Sequence, residues 1–311
     1  MGTPAFAVGS LRALLDDGGY TVAGVFTQPD KPVGRRAVLT PPPVKVLAEQ
    51  RGVPVFQPAK LRDEAALATL RGLAPDCIVV VAYGKLLPPA LLEIPPLGCI
   101  NVHASLLPRY RGAGPIAAAI LHGETETGVT TMHMAEGLDT GDMIYQASTP
   151  IGPEETTPEL HDRLAALGAR LLLQTLPRLA DGTAPRIAQD GALACHAPML
   201  TKEAAAVDFT ADSAAVHNLV RAMAGWPVAH CVWPDGGTLK LHAVRLAEGA
   251  GTPGEVLDER CLIVACGQGA VRLCEVQYEG GRRMPAADFL RGHPIARGDR
   301  LLSGRGAEAA T

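Results

Sequence analysis

The chain has 311 residues, 47% of them hydrophobic and 19% charged, with a formal net charge of -4. That length suits two domains or one large one, and the composition is that of a soluble globular protein. No apolar run approaches a membrane span, no secretory signal pattern opens the sequence, and the weak negative charge leaves any nucleic-acid partner to a local basic patch. The seven cysteines are odd in number and include no CxxC, which predicts a reducing compartment with neither a disulfide framework nor a zinc site.

Gly2-Thr3-Pro4 reads as a tight turn into a helix. Thr3 is the expected N-cap, Pro4 takes the first helical position, Phe6, Leu11, Leu14 and Leu15 line one face, and Gly18-Gly19 stop it. In a doubly wound fold such a turn follows a first strand, and none precedes it here. Loss of a central strand leaves its neighbours unpaired, at roughly 1–3 kcal/mol for each buried group. The expectation is therefore a natural chain that begins several residues upstream, or a form of low stability.

A strand is predicted over 20–27. Residues 28–45, rich in Pro, Gly and basic side chains, read as a surface loop in which Arg35 and Arg36 offer a contact to a polyanion. A helix (44–50), a short strand (53–56) and an amphipathic helix (61–73) follow. Residues 76–83, DCIVVVAY, are a near-continuous apolar run, the mark of a parallel strand covered on both faces.

Cys99 and Ile100 lead as a strand into Asn101 and His103, followed by a polar loop (104–111) and a helix (115–122). Strands at 128–134 and 143–149 flank the polar loop EGLDTGD at 136–142. Thr157 and Pro158 open a long helix with Leu160, Leu164, Leu167 and Leu171 as its apolar stripe. Residues 186–198 show no strong period. One helix (213–223), Gly225-Trp226-Pro227 and a series of short strands with glycine-rich turns then predict a small barrel. The expected architecture is α/β. A Rossmann-like doubly wound parallel sheet spans 1–183, a linker spans 184–200, and a small OB-like C-terminal β-barrel spans 201–311.

Two residues apart on a strand, Asn101 and His103 share a face, at the strand end where open α/β sheets place their chemistry. Asp139 stands in a second polar loop. Histidine can accept or give a proton near neutral pH, a neighbouring carboxylate fixes its tautomer, and an amide can donate to a developing oxyanion. There is no GxSxG elbow, no Walker lysine and no reactive-cysteine context. The set suits an acyl-type transfer without a covalent enzyme intermediate. The same residues also admit a plainer reading, a packed strand-end histidine and an aspartate that forms a turn.

The stretch NVHASLLPRYRGAGPI at 101–116 resembles the signature of the formyltransferases that use 10-formyltetrahydrofolate, which share Asn-x-His, a following SLLP and a later Asp in an LDTGD loop. Gly2-Thr3-Pro4-x-Phe6-Ala7, TQPDKP at 27–32, VVVAYG at 79–84, the loop into Pro43-Val44-Lys45, and Trp226-Pro227 narrow the resemblance to the branch that acts on methionyl-tRNA. The resemblance implies the formyltransferase fold, with Asn101, His103 and Asp139 as the catalytic trio. It assigns folate binding to Ser105, Leu106, Leu107 and Pro108, to Val81, Ala82, Tyr83 and Gly84, and to Gly137, Leu138 and Thr140, largely through backbone groups. It implies 10-formyltetrahydrofolate as co-substrate, no metal, and initiator methionyl-tRNA as acceptor, met by Arg35, Arg36, Lys45, Arg282 and Arg283. A monomer in a bacterial-type cytoplasm, away from membranes, is the matching expectation. His103 with Asn101 would stabilise the oxyanion as the methionine amine attacks the formyl carbon, and Asp139 would pair with His103 and help move the amine proton.

The tail carries Arg282, Arg283, Arg291, Arg297, Arg300 and Arg305 with few acidic neighbours, which reads as a solvated surface or, for a tRNA substrate, a phosphate-contacting patch. Another folate-dependent formyltransferase or a formyl-folate hydrolase, acting on a small-molecule amine or on water, would share the trio. The barrel, the basic tail and the GTPxFA turn favour tRNA. A Rossmann oxidoreductase would need a GxGxxG after a strand, and a bare RNA-binding module an aromatic ladder, whereas aromatics make up 4% of the chain.

Overall fold

The structure is a computed structural model, and it describes residues 1–34 and 37–304. It divides into two compact units. The first comprises 1–115, 126–150 and 161–197, and the second 116–125, 151–160 and the chain from Pro198 onward.

In the first unit, α1 (Ala5–Asp17) buries Phe6, Ala7, Ser10 and Leu11 and ends at Gly18 in the left-handed conformation. Thr3 does not cap it. Its hydroxyl donates to the Tyr83 carbonyl at 3.0 Å, and Pro4 takes the cap position. An acceptor eighty residues along the chain outcompetes the local cap. Next come β1 (Val25–Phe26), β2 (Lys31–Val33), β3 (Val38–Thr40), α2 (Pro43–Gln50), β4 (Val55–Phe56), α3 (Glu64–Leu73) and β5 (Ile78–Val80). The strand expected over 20–27 shrinks to Val25–Phe26, which pairs in parallel with β4. The loop expected over 28–45 contains an antiparallel pair, β2 with β3. Val38, Leu39 and Thr40 favour a strand, but the run is too short to stand out among its Pro and Gly neighbours.

Met1 and Gly2 lie where the central strand is expected. The Gly2 N–H donates to the Phe26 carbonyl (3.0 Å), Val81 N–H to the Met1 carbonyl (2.9 Å), and the Met1 amino group to the Val79 carbonyl (2.6 Å). Two residues thus join the β1–β4 pair to β5.

The unit continues with α4 (Pro89–Leu92), β6 (Cys99–His103), β7 (Arg111–Gly112), α5 (Pro115–Leu121), β8 (Glu126–His133), β9 (Met143–Pro150), α6 (Thr157–Ala180) and β10 (His196–Ala197), with α5 and α6 each running across the boundary between units. β5 and β6 are parallel, but β6–β8 and β8–β9 are antiparallel, so the sheet is mixed rather than wholly parallel. The β8–β9 connection is too short for a parallel crossover, which needs a dozen or more residues. β9 also alternates between covered and exposed residues, as a strand with one solvated face does. Leu164, Leu171, Leu172 and Leu176 of α6 are buried, while Leu167 is only partly so. The stretch expected to be a linker is bonded along this unit. Ile187 bridges Met143, and β10 pairs in parallel with β7.

The second unit contains α7 (Ser213–Ala222), β11 (Ala229–Val232), β12 (Thr238–Ala247), β13 (Val256–Asp258), β14 (Ile263–Ala265), β15 (Ala270–Tyr278), β16 (Met284–Pro285) and α8 (Ala286–Phe289). Its strands form one antiparallel sheet, β11-β12-β15-β14-β13 with β16 on β15. Phe209, Val216, Leu239, Val256, Val264 and Leu273 are among the side chains that fill its core. The expected barrel is not closed by continuous strands. Isolated bridges from Leu302 to Val232 and from Arg300 to Glu255 connect its two edges.

Candidate active site

Strand β6 lies between β5 and β8, so every residue from Cys99 to His103 is buried. Asn101 is 8% exposed and His103 6%. Their side chains meet the same carboxylate. Asn101 Nδ2 donates to Asp139 Oδ1 at 3.3 Å, and His103 Nδ1 lies 3.6 Å from Oδ2. The Gly112 N–H donates to Oδ2 at 2.9 Å. Asp139 sits in the loop between β8 and β9 with φ 51°, the left-handed region. Ala82 (φ 45°) and Tyr110 (φ 61°), at two other strand-end loops, adopt it as well. Non-glycine residues held there store roughly 1–3 kcal/mol each, and such residues gather at functional sites.

His103 Nε2 lies 2.9 Å from the Tyr110 carbonyl. A carbonyl only accepts, so Nε2 carries a hydrogen and Nδ1 is the atom turned to Asp139. A neutral ring would present its Nδ1 lone pair to the carboxylate. One proton between Nδ1 and Oδ2 makes that approach attractive. The arrangement therefore supplies an amide donor, an imidazole anchored through one nitrogen and available through the other, and a carboxylate that touches both.

The loop 104–110 is built to return the Tyr110 carbonyl to His103. Ser105 Oγ donates to the Arg109 carbonyl (2.7 Å), and Thr130 Oγ1 donates to the Ser105 carbonyl (2.7 Å) while accepting from Leu107 N–H (3.1 Å). Gln146 Nε2 donates to the Leu107 carbonyl (2.8 Å) and to Thr130 Oγ1 (3.0 Å). Thr130 and Gln146 stand on β8 and β9, and sequence reasoning passed over both because a polar residue on a strand gives no sign of its partner.

Gly112, Arg111 and Gln189 were also missed. A Cβ on Gly112 (φ 118°) would stand 2.6 Å from the Ala197 carbonyl oxygen, so glycine alone allows β7 and β10 to lie together. Gln189 Nε2 donates to the carbonyls of Asp139 and Gly141, both at 2.8 Å. Gln189 Oε1 accepts from Arg111 Nε (3.0 Å) and Nη2 (2.8 Å). Gly141 closes the same loop, with space for no Cβ beside the His133 carbonyl at 1.9 Å. Burial, with Arg186 nearby, lowers the His133 imidazole below its ordinary value.

At the end of β5, Val81 and Tyr83 are buried while Ala82 and Gly84 are exposed. Gln28 Nε2 donates to the Tyr83 carbonyl (3.0 Å) and the Gly84 carbonyl (3.2 Å), and burial pushes the Tyr83 phenol up to about 12. Leu107 and Ser105 are buried, Leu106 and Pro108 partly so, and Gly137, Leu138 and Thr140 are exposed.

The expected tRNA contacts divide. Arg35, Arg36 and Arg305 lie outside the described residues. Lys45 Nζ donates to Asp30 Oδ2 (2.9 Å), Asp30 Oδ1 (3.0 Å) and Gln57 Oε1 (3.0 Å), which uses its hydrogens within the protein. Lys45 thus braces the base of the 28–45 segment. The Gln57 amide and the Lys45 ammonium hold the Asp30 carboxyl below the usual range. Arg283 is ion-paired with Glu275, Arg291 with Asp288 (2.5 Å), and Arg300 donates to the Pro253 carbonyl (2.9 Å). Arg282 and Arg297 are exposed.

Residues 1–176 match the formyl transferase family, and residues 199–294 the formyl transferase C-terminal domain. The methionyl-tRNA formyltransferase of Citrifermentans bemidjiense is 52% identical over 303 residues, covering 97% of this chain and 95% of that protein. The methionyl-tRNA formyltransferase of Geotalea daltonii is 53% identical, covering 97% of this chain and 96% of that protein. Among solved structures, WlaRD, a sugar 3N-formyl transferase in the presence of dTDP and 5-N-formyl-THF, superposes with a TM-score of 0.65 at 18% identity. That superposition covers 90% of this chain and 97% of the other, and it shows a shared fold. The chain belongs to the formyltransferase family, in the branch of the methionyl-tRNA formyltransferases.

Proposed function

We propose that this enzyme transfers the formyl group of 10-formyltetrahydrofolate to the α-amine of methionine on initiator tRNA, and that Asn101, His103 and Asp139 carry the reaction. The observation that supports these roles is one carboxylate, Asp139, reached by a buried amide at 3.3 Å and a buried imidazole at 3.6 Å. In the transfer the amine nitrogen bonds to the formyl carbon, the bond from that carbon to N10 breaks, the amine gives up a proton and N10 receives one. Nothing is oxidised or reduced. Tyr110 keeps hold of His103 through Nε2, so Nδ1 is the atom that works. Asn101 Nδ2, and His103 Nδ1 once it carries a proton, donate to the oxyanion as it forms while the Asp139 charge stays beside the imidazolium, and a donor so placed contributes about 2.7–4 kcal/mol. Asp139 receives or returns the proton that moves, and holding both substrates in line supplies much of the remaining rate.

The folate is a co-substrate, and the residues present fit one. Exposed backbone at Ala82 and Gly84 can hydrogen-bond the edge of a flat heteroaromatic ring, and the exposed Leu138 beside Gly137 and Thr140 offers its face an apolar contact. The Ser105–Pro108 loop, braced by Thr130 and Gln146, would line the same pocket. The catalytic domain on this reading spans 1–183 and the tRNA-binding domain 201–311. Arg35, Arg36, Arg282 and Arg297 are the phosphate contacts, with Arg283 a weaker one because Glu275 already pairs with it. The enzyme acts as a monomer in the bacterial cytoplasm.

The test is one assay of the purified protein with 10-formyltetrahydrofolate and methionine charged on either initiator or elongator tRNA. Formylation of the initiator form is the expected result. Hydrolysis of the folate without transfer, or transfer only to a small amine, would replace this reading.

A further inference from the structure

We propose that Gln189, held by Arg111, is a positioning residue that sets Asp139 for catalysis, so that the segment joining the two family domains forms part of the active site. The proposal rests on the catalytic role assigned to Asp139 above. The carbonyls of Asp139 and Gly141 both face Gln189 Nε2 at 2.8 Å, and a primary amide has two hydrogens, so both bonds form at once. The amide cannot turn over. Its oxygen faces Arg111 Nε and Nη2, which only donate, and a flip would set an NH2 group against a guanidinium.

What this bracket holds is a residue in a less favoured conformation. Asp139 has φ 51°, the left-handed region, which aspartate enters more readily than most non-glycine residues but still at a cost. The bracket also reaches the carboxylate itself. Arg111 is followed by Gly112, whose N–H donates to Asp139 Oδ2 at 2.9 Å. Arg111 is in turn fixed by its own N–H to the Cys195 carbonyl (2.9 Å) and by the pairing of β7 with β10. Main chain and side chain of Asp139 are therefore both tied to residues 187–197, and so is its distance from His103.

A misplacement of about 1 Å at a reacting group lowers the rate by about 100-fold. Gln189→Ala is expected to lower kcat for formylation by about 10- to 100-fold, with KM for folate and for charged tRNA within about threefold of the parent. Gln189→Glu keeps the size and the Arg111 contact but has no hydrogens to give the two carbonyls. It should lose as much, which separates the donated bonds from packing. In an Asp139→Asn background, Gln189→Ala should cost less than about threefold, because a group that acts through Asp139 has little left to lose. A kcat for Gln189→Glu within about threefold of the parent overturns the proposal, as does an equal loss in both backgrounds or a loss carried by KM. If the parent hydrolyses formyl-folate but leaves tRNA unformylated, the substrate assignment falls alone, and the same variants are read on hydrolysis.

Discussion

Replacing Asp139 by Asn changes one atom and removes one charge at the point where the site converges. In the parent, Oδ1 accepts from Asn101 and Oδ2 accepts from Gly112 while facing His103 Nδ1 at 3.6 Å. Neither orientation of an amide meets all three. One sets its NH2 against the Gly112 N–H, and the other against the Asn101 NH2. The larger loss is electrostatic. Two unit charges 3.6 Å apart at an effective dielectric near 20 attract by about 4.6 kcal/mol, and the substituted amide cannot offer that to an imidazolium forming in the transition state. The Asp139 side chain is 13% exposed, so water screens part of this, and about 4 kcal/mol corresponds to roughly a thousandfold in rate. Steady-state formylation at saturating folate and charged tRNA should show that loss in kcat, with tRNA affinity unchanged by filter binding. A variant that retained more than about a tenth of parental kcat would refute the role given to the carboxylate.

Gly112→Ala places a Cβ 2.6 Å from the Ala197 carbonyl at a φ of 118°, and should destabilise the protein by roughly 1–3 kcal/mol, seen as a fall of several degrees in Tm together with reduced formylation. An unchanged Tm would mean that β7 and β10 do not lie as described. His133, lowered by burial, takes up its proton at a lower pH when folded than when unfolded. As pH drops through the ordinary histidine value of about 6.5 the unfolded chain binds protons first and stability falls, whereas above that value the group has no effect. Urea midpoints measured from about pH 7 to pH 5 should therefore decline less steeply in His133→Gln, and parallel slopes would dismiss the effect. Affinity for tRNA should fall steeply with salt. Arg282→Ala should reduce that slope by about one and Arg283→Ala by less, because Glu275 already neutralises Arg283, and equal slopes would argue against this patch.

The parts that were readable from sequence are those in which local pattern and tertiary role agree. The apolar run of β5 and the alternation that puts Asn101 and His103 on one face follow from the strand period alone, and Asp139 was marked by its polar, glycine-flanked loop. Where the reading failed, the partner lay elsewhere in the fold. Thr3 has the chemistry of a cap, yet its hydroxyl meets Tyr83, eighty residues along the chain. The stretch 186–198 has no period because its residues serve separate partners: Ile187 meets Met143, Gln189 meets Arg111, Asp139 and Gly141, and Ala197 meets Gly112. A segment of that kind looks like a linker to any method that seeks repetition. The antiparallel half of the sheet was hidden for a different reason: β8 is covered along nearly its whole length, as a parallel strand is, although β9 does alternate.

Bond lengths at the site separate what must stay from what must move. Asp139 is anchored by contacts of ordinary length, from Gln189 to its carbonyl at 2.8 Å and from Gly112 to Oδ2 at 2.9 Å, and His103 is anchored at 2.9 Å through Nε2. On the proposed mechanism, the contacts to Asp139 that loosen when an oxyanion forms are the long ones, 3.3 Å from Asn101 and 3.6 Å from His103. Charge-assisted bonds of good geometry fall at about 2.7–2.9 Å, and both of these contacts are longer. On that mechanism Asn101 and His103 give up only weak contacts with the carboxylate, whose charge stays beside the imidazolium, and each gains a hydrogen bond to the oxyanion. That difference between ground state and transition state accelerates a reaction, whereas two short bonds to Asp139 would have deepened the resting state and slowed it.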